Sequence, residues 1–233
     1  MKELQAKVKE IINRTYNVIS VRVEVEGDIE FKAGQFLQVF LKADPELKRY
    51  LSISNSPTEK GYLEFTKKIT ESDFSQALKK LKPADLIKIQ YPFGKFVLDE
   101  TFAKIAFVSG GIGITPIRSI IKYAVDKNLG TDIVLIYANR TADDIAFKDD
   151  FAKMQQCYNR LKVIHVLSQV HAGANCRFGR VDSRLIKECL PDYLERKIYL
   201  CGPPAMVEAM KCILAGELAV AAANIVTENF QGY

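Results

Sequence analysis

The spacing of hydrophobic and polar positions changes partway along the chain. In the first hundred residues apolar positions recur in twos: Val21, Val23 and Val25 alternate with Arg22, Glu24 and Glu26, the repeat of a strand with one buried face. A second run, 36–41, follows a turn at Ala33-Gly34. Further short strands are predicted at 51–54, 62–68, 86–90 and 95–97, with Gly, Pro, Asp and Asn between them. One helix is predicted at 74–81. Six short strands and one helix predict a small antiparallel β-barrel.

Beyond residue 100 the character changes, with apolar strand-like runs at 105–109, 133–138, 162–167 and 198–201. Helical segments near 116–127, 146–158, 183–189 and 204–215 separate them. Alternating strand and helix predicts a Rossmann-like α/β domain with a parallel sheet covered on both faces. The boundary is expected near 99–104, giving a barrel domain 1–99 and an α/β domain 100–233.

The run 105–109 leads directly into Gly110-Gly111-Ile112-Gly113-Ile114-Thr115-Pro116. Glycines let a backbone turn tightly and approach a diphosphate. Thr115 is expected as the N-cap and Pro116 as the first helical residue. The free N–H groups of the helix start would then face an anion. The usual dinucleotide fingerprint would have glycine at Pro116 and an acid at the end of the next strand. That strand ends at Ala138-Asn139-Arg140, and Asp132 stands at its other end. The pattern is a nucleotide loop, but not that of an ordinary dehydrogenase.

Composition narrows the picture further. Of 233 residues 48% are hydrophobic and 26% charged, enough apolar surface for a globular core. There is no apolar run long enough to span a membrane, and Met1–Leu4 opens no signal core, so a cytoplasmic protein is expected. The five cysteines form no Cys-x-x-Cys pair and there are two histidines, His165 and His171, so no disulfide frame, zinc site or iron–sulfur cluster is indicated. A net charge of +5 suits a solvated surface or an acidic protein partner. Without a basic, aromatic-interleaved run, nucleic acid is not expected.

Several motifs together resemble the ferredoxin–NADP reductase superfamily, in which a flavin-binding barrel precedes a nicotinamide-binding α/β domain. Arg49-Tyr50-Leu51-Ser52 is similar to the family's Arg-x-Tyr-Ser flavin motif, with Phe31–Phe36 like the segment before it. Pro92-Phe93-Gly94-Lys95-Phe96 resembles the close of the barrel. Gly110–Pro116 resembles Gly-Gly-x-Gly-Ile-Thr-Pro, and Cys201-Gly202-Pro203-Pro204 matches Cys-Gly-Pro-Pro. Tyr137–Arg140 with Asp144–Phe147, and Glu228-Asn229-Phe230, resemble the remaining signatures.

The resemblance implies an NAD(P)H-dependent reductase containing FAD, which passes a hydride between nicotinamide and flavin and then electrons to a separate carrier such as a ferredoxin. It places Ser52, Cys201 and Glu228 at the reaction centre. FAD contacts are implied for Arg49, Tyr50, Leu51, Ser52, Phe65, Thr66, Lys67, Ser75 and Phe230, with Tyr233 a weaker candidate. NAD(P) contacts are implied for Gly110, Gly111, Gly113, Thr115, Pro116, Asn139, Arg140, Ser168, Cys201, Gly202 and Pro203. No metal is implied. Three positions depart from the family pattern. Leu51 replaces the aromatic that commonly stacks on the flavin. Asp73-Phe74-Ser75 stands where Gly-x-x-Ser is common. Ser168-Gln169 replaces the Ser-Arg of NADP-specific members, which tilts the reading to NADH while leaving Arg177 and Arg180 as substitutes. A flavin reductase that releases reduced flavin, and a non-catalytic electron-transfer or regulatory subunit, are the alternatives.

Overall fold

The structure is a computed structural model that describes residues 2–25, 27, 29–41, 47–169 and 176–229. The first half is a six-stranded antiparallel sheet. Its strands are β1 (Lys2–Thr15), β2 (Val18–Glu24), β3 (Phe36–Phe40), β4 (Lys48–Ser52), β5 (Tyr62–Lys68) and β6 (Leu86–Phe93), in the order β4-β3-β6-β1-β2-β5. A bridge between Ile53 and Phe65 joins the two outer strands and closes the barrel. Val21, Val23, Leu37, Val39, Leu63 and Phe65 fill its interior. Helix α1 (Asp73–Lys79) caps one end through Phe74 and Leu78.

Two barrel expectations are corrected. The long first strand was absent from the expected set: Lys2–Thr15 buries only Ala6 and Val8, and its many lysines and glutamates hide the alternation. The segment 95–97 is not a strand. Gly94, at φ 94°, turns the chain out of β6. Phe96 then leaves the barrel and packs edge-on against Tyr199 of the second half, centroids 5.4 Å apart.

The second half is a six-stranded parallel sheet. Strands β7 (Lys104–Gly110), β8 (Asp132–Asn139), β9 (Leu161–Leu167), β10 (Arg177–Phe178), β11 (Lys197–Gly202) and β12 (Ile225–Asn229) lie in the order β10-β9-β8-β7-β11-β12. Helices α2 (Ile114–Asp126) and α3 (Lys148–Cys157) pack on one face through Ile105, Phe107, Leu135 and Tyr137. Helices α4 (Ser183–Cys189) and α5 (Pro204–Lys211) pack on the other through Ala106, Val108, Ile136 and Leu200. The chain steps outward from β7 to β10 and then returns to β11 on β7's far side. That reversal opens a crevice at the carboxyl ends of β7 and β11, the place where such sheets take ligands. Val18, Ala33 and Phe96 of the first half share a hydrophobic core with α2 and the second sheet. Among the described residues no helix is long and apolar enough to cross a membrane.

Candidate functional site

The crevice is a cavity of about 560 Å³. Gly110, Gly111, Asn139, Arg140, Ser168 and Pro203, all expected as nucleotide contacts, line it. Asn17, Val18 and Lys68 add a wall from the barrel, and Met206 and Arg180 line the second half's side. The sequence reading had missed Met206 and this barrel wall. Asn17 stands in the tight β1–β2 turn, and its neighbour Tyr16 donates a hydrogen bond of 2.8 Å to Asp144 across the two halves. Arg177 lies outside the lining, 3.9 Å from Glu188.

The glycine loop forms a single 3-10 turn, Gly111–Gly113, before α2 begins at Ile114. Gly111 has φ 52°, a conformation that side chains rarely adopt. Gly113 has no room for one: a β-carbon there would lie 2.4 Å from the Cys201 carbonyl oxygen. The expected cap is corrected. Gly113 is the N-cap, while Thr115 is buried inside the helix and donates to the Ile112 carbonyl at 3.1 Å. Pro116 is also buried and lies within the first helical turn rather than at its first position. Tyr137 fixes the loop by donating to the Gly111 carbonyl at 3.0 Å.

One row of the sheet gathers the reactive side chains. His165, Tyr137, Ser109, Cys201 and Glu228 occupy matched positions on β9, β8, β7, β11 and β12. Matched residues of parallel neighbours share a face. The Ser109 hydroxyl, one Glu228 carboxylate oxygen and His165 Nδ1 are buried with no hydrogen-bond partner. Burial pushes the Glu228 carboxyl up to about 7. Burial, and secondarily the Glu228 charge, pushes the Cys201 thiol well above its ordinary range. Cys201 is fully buried in the core shared with α2, so its sulfur does not reach the cavity surface. A β-carbon on Gly202 would lie 3.2 Å from the Gly110 backbone nitrogen, so the two loops pack closely there.

On the barrel side, Ser52 ends β4 with its hydroxyl buried and unpartnered. Tyr50 is exposed and held edge-on by Phe36 and Phe93, while Leu51 packs against the barrel core. Arg49 lies 5.8 Å over the Phe74 ring at the start of α1. Lys67 is buried; burial first, and then the Arg49 charge, hold its ammonium below the usual range. Two neighbouring cations, one desolvated, are stabilised when an anion joins them. The Phe65 and Thr66 side chains are engaged within the barrel. Phe65 fills the barrel interior, and the Thr66 hydroxyl is already bonded to Ser20 and Ser54 at 2.7 and 2.8 Å. Neither side chain is offered to a ligand. Ser75 is buried and bonded to Ser72 and Thr70, and Ser72 is the cap of α1. Phe230 and Tyr233 lie outside the described residues.

Both implied cofactors find a matching donor set. The Asn139 amide lines the cavity with neither its oxygen nor its nitrogen paired, and Ser52 offers an equally unpaired hydroxyl from the barrel. Buried polar groups in this state cost free energy until a partner completes them. Among the described residues no cluster of metal-ligating side chains occurs.

Two known domain families match in succession. Residues 3–98 match the oxidoreductase FAD-binding domain and residues 107–211 the oxidoreductase NAD-binding domain. The chain belongs to the ferredoxin–NADP reductase superfamily. It is 31% identical over 194 residues to the glycine betaine monooxygenase reductase subunit of Pseudomonas aeruginosa, covering 80% of this chain and 52% of that protein. It is 38% identical over 138 residues to NADH-cytochrome b5 reductase 1 of Aspergillus terreus, covering 56% and 47%. The chain thus spans about half the length of these curated relatives. A ferredoxin NADP+ reductase from Neisseria gonorrhoeae, solved with bound FAD and NADP, has the same fold: TM-score 0.84 at 19% identity, over 98% of this chain and 99% of that one. Like other superfamily members, the chain is built to hold FAD and a nicotinamide nucleotide, one in each half.

Proposed function

We propose that this superfamily member is an NAD(P)H-dependent reductase that moves a hydride from the nicotinamide nucleotide to FAD and delivers the electrons to a separate protein carrier of the ferredoxin type. In this reading the barrel through Asp99 takes the flavin and residues 100–233 take the nucleotide. The observation that carries the reading is the two-sided cavity, with a glycine loop and the unpaired Asn139 amide on one wall and barrel residues on the other.

Bound in the barrel, the flavin would supply a two-electron acceptor for the hydride that can also release electrons singly. The protein's task is alignment and exclusion of water. Arg49 and Lys67 neutralise the flavin diphosphate, Arg49 through its planar fork of donors. The Ser52 hydroxyl is free to bond the ring edge where hydride arrives. The Gly110-Gly111 backbone and the Asn139 amide hold the nucleotide, with Arg140, Ser168 and Pro203 around it. Glu228 keeps a proton up to about pH 7 beside the reaction centre. The buried row around Cys201 keeps the floor of the site dry. Gln169, in the place of an NADP-specific arginine, favours NADH. The five free cysteines favour a reducing compartment, the cytoplasm.

Purified protein is expected to be yellow and to bleach anaerobically with NADH more readily than with NADPH. A colourless protein that cannot be loaded with FAD, or a yellow one that neither nucleotide bleaches, overturns the proposal. Flavin that leaves on desalting, with NADH oxidation then depending on added free flavin, selects the flavin-reductase alternative.

A further inference from the structure

Arg118 joins the two halves. It lies on α2, just after the glycine loop, and its side chain is only 5% exposed. Nε donates to Asp150 at 3.1 Å and Nη2 to the same carboxylate at 2.9 Å. Nη2 also donates to Glu59 at 3.1 Å, and Nη1 donates to Glu59 and, at 3.2 Å, to the Ser54 carbonyl. A guanidinium has five N–H donors, and all of them are used. Asp150 belongs to α3; Glu59 and Ser54 belong to the barrel.

The barrel partners are themselves fixed. The Ser56 N–H donates to Glu59 at 2.7 Å, and Tyr62 donates to it at 3.2 Å. The Asn55 side chain bonds Ser56, Tyr62 and Glu64 along the same loop. Ser119, next to Arg118, donates to the Asn55 carbonyl at 2.6 Å. Asp150 also stands 4.0 Å from Arg14, which pairs with fully buried Glu64 at 3.0 Å. Both Arg14 and Arg118 lie over the Phe147 ring, at 4.6 and 5.7 Å. Burial acts to lower the pKa of Arg118, but Glu59 first, and then Asp150 and Glu64, raise it above its ordinary value.

The connection is short on both sides. Ser54 is two residues from Ser52, and α2 begins at the glycine loop. We propose that Arg118 is a positioning residue, which sets the spacing of the flavin edge at Ser52 against the nucleotide held by Gly110–Gly113. The proposal rests on the reductase reading above. Misplacement of reacting atoms by 1 Å can cost ~100-fold in rate, and lysine cannot reproduce a fork that spans two carboxylates.

The test compares Arg118→Lys with the parent holoenzyme, with Glu59→Gln as a second variant should Arg118→Lys fail to fold. Expected for either variant is full flavin content and an NADH KM within about threefold of the parent. The rate of flavin reduction should fall ~30-fold or more, with loss of the long-wavelength absorbance of nicotinamide stacked on flavin. Amide exchange should quicken in 54–59 and at the start of α2. A parent that NADH reduces, with variants reduced at the same rate or impaired only through KM, overturns the positioning role. A parent that no nucleotide reduces overturns the reductase reading itself.

Discussion

Cys201 and Glu228 stand side by side, in register on adjacent parallel strands. Neither is expected to be charged well below pH 7: the thiol is buried and the carboxyl is raised to about 7. The pair is a neutral edge to the reaction row below pH 7 and gains one negative charge above it.

Glu228→Gln should therefore change how stability depends on pH. Burial raises the folded carboxyl from its ordinary 4.5 to about 7. Its contribution is complete below pH 4.5, declines between 4.5 and 7, and is lost above 7. The glutamine variant should match the parent at pH 4 and exceed it at pH 8 by up to ~3 kcal/mol. Melting curves across this range decide the matter, and parallel profiles would show that the carboxyl titrates normally.

Ser52→Ala should separate function from stability. The hydroxyl has no protein partner to lose, so the melting temperature should hold, with a free-energy change within ~0.5 kcal/mol. Loss of one hydrogen bond to the flavin should slow its reduction ~10-fold. Rapid-mixing absorbance measures the rate. An unchanged rate with a lower melting temperature would make Ser52 a framework residue instead.

Gly113→Ala should be the more damaging of two loop substitutions. Its φ of −59° suits alanine, but the added carbon meets the Cys201 and Gly202 backbone at 2.4–2.6 Å. Backbone on both sides cannot swing away, so a cost of ~1–3 kcal/mol is expected, with weaker NADH binding. Gly111→Ala strains the backbone at φ 52° but meets no atom within 4 Å, for ~1–2 kcal/mol. Chemical denaturation of the two variants ranks them, and the reverse order would contradict the close packing of the two loops.

Much of the layout was legible because local pattern and tertiary role agree. The strands of the second sheet are short apolar runs bounded by helices, and Gly110, Gly111 and Pro203 of the two glycine-containing loops line the crevice. The misreadings have physical causes. Strand β1 is stabilised by pairing with β2 and β6 on both sides, not by an apolar face of its own. Thr115 looked like a cap because the intervening 3-10 turn, which carries the helix start back to Gly113, leaves no mark in composition. The closure of the barrel, which engages the side chains of Phe65 and Thr66, is not written in local pattern. Nothing in the sequence singles out Arg118, Glu59 or Asp150, which come together only when the two domains dock.

The path of Phe96 bears on any attempt to study the halves apart. The ring lies in the second sheet's core, and the Tyr199 hydroxyl donates to the Val97 carbonyl and accepts from the Asp99 N–H. Severing the chain near Asp99 would strip Phe96, Ala33 and Val18 of their cover. It would also strand Glu59 without the cation that neutralises it. Each fragment would be sticky at the surface where the other had been, so flavin affinity measured on an excised barrel would report an injured protein. Dissection by point substitution, with the chain left whole, is the route this architecture permits.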